Sequence, residues 1–113
     1  MSASSQILTM LVVVGALWLA AVAKGESLDG AAVFRSRCAR CHGESGKTDT
    51  SAARALKVRP LFNDPELARM TPDEIVRLVK SDAKHHNVGA AAGIDDAELR
   101  AAAEFVKQLA KRH

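Results

Sequence analysis

The chain's only two cysteines lie three residues apart, in the string Cys38-Ala39-Arg40-Cys41-His42 of a 113-residue sequence. A bridge between residues so close encloses almost no chain, so it cannot staple a fold. The remaining residues offer little to build a core. There is no tyrosine, one tryptophan (Trp18), and three phenylalanines, Phe34, Phe62 and Phe105. Small domains with thin cores need a cross-link or a bound group to be stable. Something other than side chains has to fill the centre of this one.

The leading segment, 1–23, differs in character from the rest. Ile7 to Ala23 is one uncharged apolar run, ending in Ala21-Val22-Ala23 with Lys24 next. A short apolar run closed by an A-x-A pattern is the mark of a cleaved secretory signal. The alternative is an uncleaved N-terminal anchor, since a run of this length is at the lower edge of a spanning helix. Residues 24–113 then form one exported, periplasmic domain, bound to a membrane only if the leader stays. That domain carries all 16 Lys and Arg and all 13 Asp and Glu, a net charge of +3 with the signs interspersed. No basic run or aromatic-rich stretch marks a nucleic-acid groove.

The string CARCH matches C-x-x-C-H, the signature of covalent c-type haem attachment. On a helical turn Cys38 and Cys41 fall on one side, where two thiols reach the two haem vinyl groups, and His42 follows as the proximal iron ligand. Three other readings compete: a redox dithiol, which belongs in a βαβ context that is absent here, half of a zinc site completed by His85 or His86, and a plain disulfide.

Around the motif the pattern is helical throughout. Residues 28–40 read as an opening helix with Gly30, Phe34 and Cys38 on one face. Residues 43–63 are loop, briefly helical around Ala52 to Leu56, with Pro60 at the exit. Thr71, Pro72 and Glu74 form a T-x-x-E capping box that starts a helix ending near Ser81. Asp95 caps the last helix, whose apolar stripe is Leu99, Ala102, Phe105, Val106 and Leu109. The expectation is an all-α domain of three main helices plus short ones around one cofactor.

These features together resemble a class I monohaem cytochrome c over nearly all of residues 27–111. "DGAAVFRSRCARCHGESGKTDTSAARALKVRPLF" is similar to that family's first half, "MTPDEIVRLVKSD" to its middle helix and "GIDDAELRAAAEFVKQL" to its terminal helix. The resemblance implies the cytochrome c fold, one covalent haem c on Cys38 and Cys41, a crossing of first and last helices that packs Gly30 and Phe34 against Phe105, and a Pro60 carbonyl that accepts a hydrogen bond from His42. Such a bond orients the ligand and raises its basicity.

One segment departs from the family. Where its members carry the axial Met-Pro, this chain reads "DAKHHNVGAAAG". Counting from the middle helix puts Asp82 at the usual glycine and His86 at the methionine. Counting back from Ile94 also ends at or beside His86. The sixth ligand implied is therefore His86, with His85 as the alternative. Asn87, Met70 or a five-coordinate iron are the remaining options.

The function implied is an exported electron carrier rather than an enzyme, with a potential below that of Met-ligated relatives, since methionine favours ferrous iron. Its partners are redox proteins, with acidic docking surfaces if Arg35, Arg37, Arg40, Lys47 and Lys84 ring the haem edge. A solvated face explains those charges equally well. The alternative function is a haem protein whose labile sixth ligand yields to a small diatomic gas, a reading encouraged by the plain "NVGAAAG" loop.

Overall fold

Most helices in this protein start where a side-chain oxygen can take an amide that the first turn leaves unpaired. The computed structural model describes residues 28–87 and 93–113. The leader, with the expected signal peptide or anchor over 1–23, lies outside the described residues. Asp29 accepts from the amides of Ala31 and Ala32 and opens α1, Gly30–Arg37. The motif helix α2, Ala39–His42, follows after a break at Cys38. Thr50 caps α3, Ser51–Leu56, and Asp64 caps α4, Pro65–Arg69. Thr71 and Glu74 form the full reciprocal capping box of α5, Pro72–Ser81. The short α6, Ala83–Asn87, comes next. Asp95 accepts from Glu98 N and opens α7, Asp96–Ala110. No strand occurs among the described residues, and the fold is all-α as expected.

Three local departures have physical causes. The opening helix is two helices, because at Cys38 the backbone turns to φ −118° and only its own N–H continues the ladder, to the Phe34 carbonyl. Helix α4 stands in what reads as loop, although Asp64-Pro65 is a good cap followed by a proline at the first helical position. Helix α6 stands in the expected axial loop, and its placement matters below.

The last helix is the hub: α1, α5 and α4 all pack on α7. Its stripe behaves as expected, with Leu99, Ala102, Val106 and Leu109 buried, joined by Ala103 and Ala110. The crossing of α1 and α7 is close. A methyl group on Gly30 would sit 2.0 Å from the Ala101 carbonyl oxygen, so only glycine permits it. One turn on, Phe34 is fully buried and its ring meets that of Phe105 at 5.3 Å between centres, tilted by 58°, the edge-on geometry that aromatic quadrupoles favour. Phe34 and Leu109 are the only large side chains buried completely among the described residues, which confirms how thin the side-chain core is.

Buried Asp64 locks the far end of the hub. Its carboxylate accepts from Glu66 N and Leu67 N and pairs with Arg59 at 2.6 Å, while its own amide reaches the Ala110 carbonyl at 2.9 Å. Burial alone would raise the Asp64 carboxyl, but the Leu67 amide and the Arg59 guanidinium outweigh it and hold the pKa below the usual value. The two pairs that cross from α5 to α7, Lys80–Asp96 and Arg100–Asp73, are solvent-exposed and add little.

A cap of this kind is measurable. Thr71→Ala removes one half of the α5 capping box, and we expect a loss of about 1 kcal/mol in thermal unfolding, with no change at the site described next.

Candidate functional site

The space between these helices is an apolar cavity of about 330 Å³, inside the size range of cofactor sites. Ile75 and Val79 of α5 and Leu99, Ala103 and Val106 of α7 form part of its walls, and Cys38, Cys41, His42 and His85 all line it. The short α2 aims the motif inward. Its C-terminal end is held by Thr50, whose hydroxyl donates to the Cys41 carbonyl at 2.7 Å while its oxygen caps α3. Thr48 N donates to the His42 carbonyl at 2.9 Å. Gly43 turns the chain away at φ +77°, where a methyl group would strike Asp49 Oδ1 at 2.6 Å.

The motif side chains have unusual electrostatics. Burial, then the neighbouring His85, pushes His42 down to about 4. The imidazole is therefore neutral near pH 7, the form that binds a metal. Its Nδ1 is buried without a hydrogen-bond partner. The expected bond to Pro60 is thus not made: Pro60 borders the cavity, but the His42 nitrogen does not reach its carbonyl. Cys38 and Cys41 are free and half-buried. Burial pushes the Cys38 thiol up to about 11, so it stays protonated at neutral pH. No cluster of three or more His, Cys, Asp or Glu with metal-site geometry exists among the described residues.

The two adjacent histidines take opposite directions. His85, on α6, turns into the cavity and faces His42 with ring centres 6.1 Å apart and planes 21° from parallel. Its Nδ1 lies 2.7 Å from Asp82 Oδ2. His86 is exposed and does not line the cavity. Its Nε2 points back to the Lys80 carbonyl at 2.5 Å, one of the orphan acceptors at the end of α5. The cause is the helix that the loop reading lacked. Successive helical residues project about 100° apart, and here that directs His85 into the cavity and His86 toward the end of α5.

The geometry fits an iron-bearing cofactor. Two imidazoles sharing one metal at about 2 Å each place their ring centres roughly 6 Å apart, which is the separation found. The apolar walls, the paired thiols on one helical turn and a neutral buried imidazole fit a covalently attached haem.

A match to a family model, that of cytochrome c oxidase, cbb3-type, subunit III, spans residues 25–106. The chain belongs to this family. The matched stretch holds the motif, α5, α6 and most of α7, and with it every residue that lines the cavity. The protein is therefore a c-type cytochrome with covalently bound haem c. Comparison with the curated proteins found no match, and comparison with solved structures found none.

The cations expected around a haem edge are only partly there. Arg37 and Lys84 border the cavity, joined by Lys57 and Arg59, which sequence reasoning overlooked. Lys84 Nζ is 3.4 Å from the Lys57 carbonyl. Arg35 and Arg40 are exposed and lie off the cavity, and Lys47 sits over the Phe62 ring at 4.6 Å. What sequence reasoning also missed is Asp82, although an Asp three residues before a His is a local signal, since i and i+3 share a helical face.

Proposed function

We propose that this cytochrome is an exported monohaem electron carrier whose iron is held by His42 and His85. The observation that carries the reading is the pair of imidazoles facing each other across the apolar cavity at 6.1 Å. Haem supplies one-electron chemistry when bound. When the cofactor is bound, His42 and His85 would hold the iron, Cys38 and Cys41 would anchor the ring, and the apolar walls would keep water from the metal. With His42 and His85 both held to the iron, the site would leave no room for a substrate and would serve electron transfer alone. Imidazole in place of thioether lowers the potential relative to Met-ligated relatives.

Export follows from the leader pattern of residues 1–23, which lie outside the described residues. No helix among the described residues is long and apolar enough to cross a membrane. The family name belongs to an oxidase subunit, so a larger redox assembly is the natural exchange partner. Arg37, Lys57 and Lys84 at the cavity rim would meet an acidic surface on it, whereas Arg59 is already paired with Asp64 and Glu66.

Carbon monoxide tests the carrier reading against the gas-binding alternative. We expect the reduced protein to show no rapid spectral change under carbon monoxide, because His85 occupies the position the gas would take. Fast, tight binding would overturn the carrier reading.

A further inference from the structure

The cavity wall carries a carboxylate. Among the described residues Asp82 is the only acidic side chain that lines it, against Arg37, Lys57, Arg59 and Lys84. It sits at a junction: its amide donates to the Leu78 carbonyl at the end of α5, and its carbonyl accepts from His86 N at 3.3 Å as α6 begins. Its Oδ2 does two further things. It accepts from the backbone amide of His85 at 3.2 Å, an N-cap contact, and it stands 2.7 Å from the His85 ring nitrogen Nδ1. The backbone contact fixes where the residue is. The ring contact fixes how the imidazole is turned and which nitrogen carries its proton.

We propose that Asp82 is a positioning residue for the distal ligand, holding the Nδ1–H of His85 so that the bare Nε2 is committed to the iron, and making that nitrogen a stronger donor. The inference rests on His85 being the axial ligand. A neutral imidazole has one N–H and one lone pair, and the hydrogen bond at one nitrogen decides which is which. A carboxylate as acceptor enhances donor strength at the other nitrogen, the usual role of the group behind a metal-bound histidine. A negative charge there favours ferric over ferrous iron and lowers the potential further. The effect is moderated by water, because the Asp82 side chain is 39% exposed and that of His85 29%.

Two substitutions separate positioning from capping. Asp82→Asn and Asp82→Ser both keep an N-cap oxygen for α6. Asparagine loses the charge, and serine is too short to reach the ring. The holoprotein of each is compared with the parent chain for melting temperature, midpoint potential and the g-values of its ferric electron paramagnetic resonance (EPR) signal, beside His85→Ala. We expect both variants to melt close to the parent. Their ferric/ferrous equilibrium should shift at least tenfold toward ferrous, a rise of about 59 mV for a one-electron couple, and their g-values should move. An unchanged potential and signal in both variants, with the low-spin signal lost in His85→Ala, overturns the role of Asp82 and leaves the axial assignment standing. A low-spin signal that survives in His85→Ala overturns the axial assignment, and this inference with it.

Discussion

Replacing His85 by alanine removes the low-spin bis-imidazole EPR signal from the ferric protein, and replacing His86 leaves it in place. This is the largest expected effect of any single change outside the CARCH motif. The two residues are neighbours with the same side chain, so composition and charge cannot distinguish them. Their surroundings do. His85 faces His42 across the cavity and is tethered to Asp82. His86 is exposed and satisfies a carbonyl at the end of α5. On the proposed ligation, loss of His85 should leave the iron one nitrogen short, high-spin or water-bound, and open to carbon monoxide. Without His86 one exposed hydrogen bond disappears, a modest contribution to stability. Low-temperature EPR and carbon monoxide titration of the two alanine variants check the expectation. Loss of the signal in His86→Ala alone would show that α6 is turned by one residue from its position here.

The second large effect is at the helix crossing. Gly30→Ala should lower the melting temperature markedly. A methyl group at Gly30 would lie 2.0 Å from the Ala101 carbonyl oxygen and 3.4 Å from Phe105 Cβ. The first obstacle is backbone, so no side-chain rotation relieves it, and α1 must move away from α7. Overpacking of this kind costs about 1–3 kcal/mol, with about 4–8 °C lost per kcal/mol in a domain of this size. The better helix propensity of alanine works against the loss, but Gly30 is the first residue of α1, where propensity counts least. The shift also disturbs the Phe34–Phe105 contact, and Phe34 lines the cavity. Thermal denaturation followed by circular dichroism and by haem absorbance should therefore show both transitions moving down together. An unchanged melting temperature would mean that the two backbones part easily at this crossing.

Much of this was legible from local chemistry. The capping box at Thr71, the cap at Asp95 and the stripe of α7 depend on neighbours within one turn, and each reads directly. The CARCH motif likewise carries its geometry in its spacing. The break at Cys38 was not legible, because it depends on how α1 and α2 must diverge to reach α7 and the cavity. Helix α4 was legible in principle from Asp64 and Pro65, but five residues give too short a pattern for periodicity. The direction each histidine takes was not legible, for a sharper reason. Asp82 stands where a glycine was expected, and as an N-cap it turns a loop into a helix, which swings His85 inward and His86 outward. The Pro60 contact failed because it joins two segments whose approach only the tertiary path determines.

The position of α7 at the hub has a kinetic consequence. The native contacts of α1 are made with a helix roughly 70 residues away, so their loop-closure entropy is met late. The contacts of α2 with α3, by contrast, span about a dozen residues and form locally. The cysteine-bearing turn should thus assemble before one wall of the cavity, built from Leu99, Ala102, Ala103 and Val106, is in place. The expected order of events is an open cleft first and closure by the final helix second. Stopped-flow refolding should then show Leu109→Ala slowing closure and Thr50→Ala acting on the earlier, local step.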